Sequence, residues 1–274
     1  MTARELLAAG TEELSRAGVP SPRVDSEWLL AHTLGVSRTE LYAEGDEVPE
    51  ERERVFRDLV TRRATREPLA YVLGEWGFRR LTLRVDPRVL IPRPETEVLV
   101  ERCLELIADR AEPVVVDIGT GSGAIALAIA DEHPGARVSG TDTSADALVV
   151  AAENARRTGL PVELVEGRLF AGLEGPFDLV VSNPPYVVPE DIATLPPEVG
   201  DHEPRTALIE AGATEAAARE ALGRLAPGGS LAFEVADGRA REVADLLRAL
   251  GFEDVTIGED LAGRERVVDG RAPR

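Results

Sequence analysis

The sequence predicts an α/β protein built on a mainly parallel sheet, preceded by a small helical bundle. Three observations predict it. Apolar strands and amphipathic helices alternate from residue 114 onward, the first 73 residues read helical with no strand pattern between them, and two strands run straight into glycine-rich or proline-rich turns. Strands that alternate with helices pack as parallel sheets with helices on their faces. At 274 residues the chain has room for one large domain and one small one. The expected division is a helical domain over 1–73, a β-hairpin linker over 74–92 and an α/β domain over 93–274.

Taken in order, Thr2 and Glu5 fit a capping box that opens a helix with Leu6, Leu7 and Leu14 on one face. Residues 26–34 carry a second apolar stripe that Gly35 ends, and residues 38–42 and 50–64 supply further helices. In the last of these Val55, Phe56, Leu59 and Val60 are expected to face inward. The period then changes to two. Leu81, Leu83 and Val85 share a face within 78–85, and Val89-Leu90-Ile91 follows Asp86-Pro87-Arg88, which predicts a hairpin between these two segments. Pro92-Arg93-Pro94 cannot continue a ladder, and residues 95–108 return to a helical pattern. Strands are expected at 114–118, 137–140, 162–165, 177–182, 230–235, 252–257 and 264–268, with helices at 123–131, 145–158, 213–225 and 239–250. A short loop joins the last two strands, so one of them is expected to run antiparallel at the sheet edge.

Composition excludes several classes. Fifty acidic residues against 31 basic ones leave a net charge of −19, which repels a phosphate backbone unless basic residues are concentrated somewhere. Two basic clusters exist, within 52–66 and 79–93. Glu51, Glu53, Asp58 and Glu67 interleave the first, as on a solvated helix face. No apolar stretch is long enough for a bilayer and no apolar signal core follows the first residues, so a cytoplasmic protein is expected. Cys103 is alone and has Leu99, Leu106 and Ile107 a helical turn away, which predicts a buried thiol rather than a nucleophile. His32, His133 and His202 are scattered and form no local metal motif.

Chemistry concentrates after three strands. The first ends at Asp117 and runs into Ile118-Gly119-Thr120-Gly121-Ser122-Gly123. Glycines there let backbone approach a ligand closely. Their Gly-x-Gly-x-Gly spacing differs from the Gly-x-Gly-x-x-Gly of dinucleotide sites, and Asp117 suits a cationic amino-acid moiety better than a pyrophosphate. The next strand ends at Asp142, whose carboxylate can accept hydrogen bonds from a ribose diol. A nicotinamide cofactor and S-adenosylmethionine both satisfy that position. Helix capping is the alternative use, for which Thr143 and Ser144 are equally suited. The strand over 177–182 ends in Asn183-Pro184-Pro185-Tyr186. Asn183 offers a carbonyl acceptor, and the Pro184 carbonyl has no following N–H beside it because Pro185 lacks one. Two prolines stiffen the turn so that both acceptors face one substrate NH₂, and Tyr186 can stack on a flat amide. An amide nitrogen is a poor nucleophile because its lone pair is delocalised, so positioning and polarisation carry the catalysis. Its proton can leave after the methyl arrives. The reading is methyl transfer from S-adenosylmethionine to a planar, amide-like nitrogen.

Leu90-Ile91-Pro92-Arg93-Pro94-Glu95-Thr96-Glu97, the turn over 117–123 and Asn183-Pro184-Pro185-Tyr186 together resemble the protein-(glutamine-N5) methyltransferases that modify peptide chain release factors. Further matches are Arg66-Glu67-Pro68-Leu69-Ala70-Tyr71, Gly74, Phe78, Glu203-Pro204-Arg205-Thr206-Ala207-Leu208 and Asp260-Leu261-Ala262-Gly263-Arg264, so the resemblance spans nearly the whole chain. It implies a Rossmann-like class I S-adenosylmethionine-dependent methyltransferase sheet with a small N-terminal helical bundle and a β-hairpin linker. It also implies N5-methylation of the glutamine in a Gly-Gly-Gln loop, with S-adenosyl-L-homocysteine as co-product and release factors as protein partners of a monomer. Under the resemblance Asp117, Gly119, Thr120, Gly121, Ser122, Gly123, Asp142, Leu169 and Asn183 bind the cofactor. Asn183, Pro184 and Tyr186 are catalytic, and Pro185, Arg93, Glu95 and Thr96 join them around the substrate. The bundle over 1–73 helps dock the release factor.

Two stretches depart from the family pattern. Arg168 stands where an acid often meets the adenine, and Glu234-Val235-Ala236-Asp237-Gly238 replaces an expected Glu-x-Gly. The nearest rival is the sister enzyme that methylates a ribosomal-protein glutamine. A nucleic-acid amino-group methyltransferase comes next and predicts a basic groove, against which the net charge counts. A non-catalytic relative predicts loss of Asn183 or the glycines, and neither is lost.

Overall fold

The computed structural model describes residues 1–42, 47–210 and 212–274. Their contacts divide into two compact units. One comprises residues 1–75 with 195–202, the other residues 76–194 with 203–274.

In the first unit Thr2 caps helix α1 (Ala3–Arg16) through the capping box read from its sequence, with the Thr2 side chain accepting from Glu5 N and the Glu5 side chain accepting from Thr2 N. Helices α2 (Pro22–Leu34) and α3 (Glu50–Ala64) pack on it around Leu6, Leu14, Leu29, Leu30, Phe56 and Val60. Gly10 makes the close approach possible: a Cβ there would lie 2.6 Å from Ser26 Oγ and 2.7 Å from Phe56 Cζ. The stripe read for α3 is one residue too wide, because Val55 is 40% exposed. The segment at 38–42 is only a 3₁₀ turn, Glu40–Tyr42. A short helix, α4 (Leu69–Leu73), follows.

Most of the first basic cluster is the solvated face its sequence suggests, with Arg52, Arg54, Arg57 and Arg62 exposed, but its last two arginines are engaged. Arg63 is buried and donates to Asp25 (2.8 Å) and to Glu198 (2.9 Å), and Arg66 donates twice to Glu198 (2.7 Å each). Glu198 lies on α8 (Pro197–Gly200), in the outlying segment that joins this unit. Burial resists ionisation of Glu198, but bonds from Arg66 and Arg63 prevail and hold its carboxyl down at about 2.

The second unit opens with the hairpin β1 (Glu75–Phe78) and β2 (Leu81–Arg84). This corrects the expected pairing of 78–85 with 89–91; residues 89–91 form no strand. The turn is Arg79-Arg80, and Arg79 takes a left-handed φ of 50° while its guanidinium donates to both Glu132 oxygens at 2.6 and 2.7 Å. Helix α5 (Pro94–Leu106) follows, and then β3 (Val114–Ile118), α6 (Ala124–Glu132), β4 (Arg137–Asp142), α7 (Ala145–Thr158), β5 (Val162–Glu166) and β6 (Phe177–Ser182). A one-turn helix, α9 (Arg205–Leu208), precedes α10 (Ala213–Ala221), β7 (Leu225–Glu234), α11 (Ala240–Leu250), β8 (Glu253–Glu259) and β9 (Glu265–Arg271).

The seven-stranded sheet has the order β5-β4-β3-β6-β7-β9-β8. All neighbouring pairs from β5 through β7 are parallel, and β9 is antiparallel to both β7 and β8. The reversed strand thus lies inside the sheet and not at its edge. Strand β7 begins five residues before the expected 230, because its pairing with β6 jumps from Leu225 to Ser230 across Ala226-Pro227-Gly228-Gly229. One core layer gathers Phe170, Phe177 and Phe233 with α10 and α11, and the other gathers α5, α6 and the hairpin around Phe78 and Leu83. Cys103 is in the second layer, where burial pushes its thiol well above the ordinary range. The chain leaves β3 for β4 and β5 on one side and returns through β6 on the other, so a crevice opens where the carboxyl ends of β3 and β6 part.

Candidate active site

That crevice holds a cavity of about 270 Å³. Its walls include Ile118, Gly119 and Gly121 from the turn after β3, Asp142 after β4, Arg168 and Leu169 after β5, and Asn183, Pro184 and Pro185 after β6. Ser182 binds the two strand ends together by donating to the Ile118 carbonyl at 2.7 Å, so the glycine turn and the tetrapeptide start side by side.

The turn is shaped by its own hydrogen bonds. Gly119 N and Thr120 N donate to the Thr141 carbonyl (2.8 and 2.9 Å), and Gly121 N donates to Asp142 Oδ2 (2.9 Å). Gly119 and Gly121 sit at φ 75° and 56°, and a Cβ built on either meets nothing within 4 Å, so the backbone is bare toward open space. Asp142 is not the cap of α7: Ser144 is, its Oγ accepting from Ala147 N at 3.1 Å. Each Asp142 oxygen accepts one backbone N–H, from Gly121 and from Ser144, and a carboxylate has further lone pairs for a diol. Leu169 reaches the cavity in a left-handed conformation, φ 55°, with its carbonyl accepting from Thr141 Oγ1 at 2.7 Å.

In sequence and architecture the chain is matched by known proteins. A PrmC N-terminal domain model matches residues 5–74 and a methyltransferase small domain model matches 95–195. The release factor glutamine methyltransferase of Deinococcus radiodurans is 46% identical, covering 99% of both chains. The chain belongs to the release factor glutamine methyltransferases. A second member, from Geobacter sulfurreducens, is 43% identical over 98% of this chain and 96% of its own. A solved methyltransferase from Pyrococcus furiosus, 20% identical, superposes with a TM-score of 0.52 over 70% of this chain and 89% of its own, and shares the fold.

The motifs fall at carboxyl ends of strands, yet several of the residues read as cofactor or substrate contacts stand back from the cavity. Asp117 is fully buried below the turn, where its Oδ2 accepts from Thr120 Oγ1 at 2.6 Å. It shapes the turn and does not line the cavity. Burial outweighs the Thr120 bond and pushes the Asp117 carboxyl up to about 7. Thr120 and Ser122 are buried too, and neither they nor Gly123 line the cavity. Gly123 starts α6 at φ 82°, close against Leu127. Tyr186 faces an adjoining cavity of about 310 Å³ that Glu234 also lines. Burial, with the nearby Glu234 charge, raises its phenol above the usual range. Arg93 and Glu95 are engaged in ion pairs, Arg93 with Glu203 (2.6 Å) and Glu95 with Arg264 (2.9 Å).

Thr96 is buried behind Asn183. It accepts from Asn183 Nδ2 at 3.3 Å and donates to Glu234 Oε2 at 2.6 Å. Glu234 was marked in the sequence only as a departure from the family pattern. Asn154 of α7 is likewise a new member of the site: its Nδ2 donates to the Ser122 carbonyl (2.9 Å) and the Arg84 carbonyl (3.0 Å), and its Oδ1 accepts from Arg84 N (2.7 Å). Its sequence signal is a polar residue on the helix stripe otherwise made by Ala147, Val150 and Ala151. Arg88, Leu90, Thr206 and Ile209 also line the cavity; Leu90 and Thr206 stand in motifs legible in the sequence, but no role was read for any of the four.

Proposed function

We propose that this chain methylates the N5 amide nitrogen of the glutamine in the Gly-Gly-Gln motif of peptide chain release factors, using S-adenosylmethionine. The observation that carries the reading is that the Asn183-Pro184-Pro185 turn and the glycine turn line one cavity at the switch point of the sheet. Identity of 46% to a named release factor glutamine methyltransferase over the full length supports the substrate class.

The cavity's residues fit the cofactor. Bare backbone at Gly119 and Gly121 accommodates close approach, the Asp142 carboxylate suits a ribose diol, and Leu169 offers an apolar surface to a flat base. When bound, S-adenosylmethionine supplies an electrophilic methyl group on a sulfonium. The chain's own task is to hold the amide. Asn183 Oδ1 and the Pro184 carbonyl accept the two N–H bonds of the glutamine NH₂, which orients the lone-pair face of the nitrogen. After transfer the N-protonated amide is strongly acidic and releases its proton without a dedicated base. Arg93 and Glu95 border the substrate loop as ion-paired positioning residues, and residues 1–73 dock the release factor. The chain is read as a cytoplasmic monomer; among the described residues no helix is long and apolar enough to cross a membrane.

Purified protein with labelled cofactor is expected to label a release factor and to fail when the Gly-Gly-Gln glutamine is substituted. Labelling of ribosomal protein or DNA in its place would overturn the assignment. Asn183→Ala is expected to lower kcat by roughly 10²–10³-fold while cofactor affinity stays near that of the parent. Equal loss of both would make Asn183 a structural residue only.

A further inference from the structure

A primary amide has two nearly identical ends, and only one serves here. Gripping a substrate NH₂ requires Asn183 to show its oxygen; a carboxamide turned over would show two more N–H donors and repel the substrate. The tetrapeptide itself does not decide between the two. The surroundings do. Strand pairing sets Ser182 beside Phe233, so Asn183 and Glu234 leave adjacent strands together. Glu234 is 1% exposed. Its Oε2 accepts the Thr96 hydroxyl proton at 2.6 Å, and an ionised carboxylate can only accept. With its single proton so used, Thr96 Oγ1 is left as an acceptor toward Asn183, and it receives Nδ2 at 3.3 Å. Among the described residues Asn183 Oδ1 has no protein partner, and Asn183 forms part of the cavity wall.

We propose that Glu234, acting through Thr96, is a positioning residue that locks the Asn183 carboxamide with Oδ1 turned to the substrate. This rests on the amide-methylating reading above and goes beyond it by assigning what orients the gripping group. Thr96 projects from the first turn of α5, so helix and sheet both brace the amide. The Arg93–Glu203 and Glu95–Arg264 pairs, both just ahead of Thr96 in sequence, tie that turn down. The lock depends on charge. If Glu234 takes up a proton it can donate to Thr96, which frees the threonine proton for Asn183 and permits the reversed amide. The charged and titratable groups facing Glu234 are Glu95 of α5, Arg266 of β9 and the Tyr186 phenol. Burial, helped by the Glu95 charge, raises the Glu234 carboxyl above its ordinary range, and the Thr96 bond, Arg266 and a weaker direct interaction with Asn183 pull it down less strongly. Over the pH range where Glu234 is protonated, turnover is therefore expected to fall.

The test uses the full-length enzyme and its release factor. Thr96→Val and Glu234→Gln are each expected to lower kcat by tenfold or more, with the cofactor Kd changed less than threefold, while Thr96→Ser keeps kcat within threefold of the parent. The Thr96→Val, Glu234→Gln double variant is expected to be no slower than Thr96→Val, because both cut one chain of bonds. Glu234→Gln is also expected to lose the acid limb of the kcat profile. Independent of turnover, exchange of the Asn183 side-chain amide protons, followed by NMR, is expected to speed up at least tenfold in Thr96→Val. Parent-like kcat and exchange in both variants, or losses that multiply in the double variant, would overturn the lock. A parent enzyme that ignores the release factor overturns the substrate reading alone, and the exchange measurement then still decides on the lock.

Discussion

A carboxyl group with no access to water makes stability depend on pH, and Asp117 is such a group. Folding raises its pKa from 3.8 to about 7. Between those values the folded state holds a proton that the unfolded state has released, so this residue's contribution to stability falls as pH rises through that window. Asp117→Asn keeps an oxygen for Thr120 and removes the titration. The variant's melting temperature is expected to gain on the parent's from pH 4 to pH 7 and to run parallel above it. Curves parallel throughout would show that Asp117 is ionised in the folded protein. Leu169 bears a second local cost. A non-glycine residue in the left-handed region is disfavoured by about 1–3 kcal/mol, and here it borders the cavity, with its carbonyl tied to Thr141.

At the scale of elements, the glycine turn is supported from the strand beside it. Gly140 of β4 lies under Thr120, and a Cβ there would approach Thr120 Oγ1, Cβ and Cγ2 to 2.9, 3.0 and 3.1 Å. Thr120 is β-branched and held by Asp117, so the turn itself must move. Gly140→Ala is expected to cost about 1–3 kcal/mol of stability and to weaken cofactor binding about tenfold, both measurable by calorimetry. Gly77→Ala, with open space at its Cβ, is the control and is expected to change neither. Most strands and helices of the sheet were legible because periods of two and 3.6 survive within a single segment. The hairpin was misplaced because Arg79-Arg80 carries none of the usual turn residues. The position of β9 was hidden because strand order is not written in local pattern. In the site, the glycines and Asn183 stand in contiguous motifs and could be read. The lock could not, since 87 residues separate Thr96 from Asn183 and 138 separate it from Glu234.

Across the whole molecule, the excess of acid engages many of the arginines. Arg79, Arg80, Arg84, Arg88 and Arg93 of the second basic cluster all pair with carboxylates, which leaves little basic surface there for a nucleic acid. In the helical unit, Glu27 and Glu198 are both held at about 2 by their bonds to arginines, joined at Glu27 by Tyr42, despite burial. Their folded pKa values lie below the ordinary 4.5, so the stability they confer is complete above that pH and is lost as pH falls toward 2. Glu198→Gln leaves buried Arg63 with Asp25 as its only carboxylate, and is expected to lower the opening free energy of α3 by about 2–3 kcal/mol. Hydrogen exchange in α3 checks this, with the amides of the sheet as an internal reference that stays unchanged. An equal loss in both would show that Glu198 stabilises the protein as a whole.

The capture of Glu198 also has a consequence for the order of events at the ribosome. Arg63 and its carboxylate are 135 residues apart in the chain. While the intervening segment is being translated, the nascent bundle carries Arg66 without its counter-charge and Arg63 with Asp25 as its only acidic partner. Completion of the amino-terminal unit therefore waits on a stretch encoded beyond the Asn183 motif.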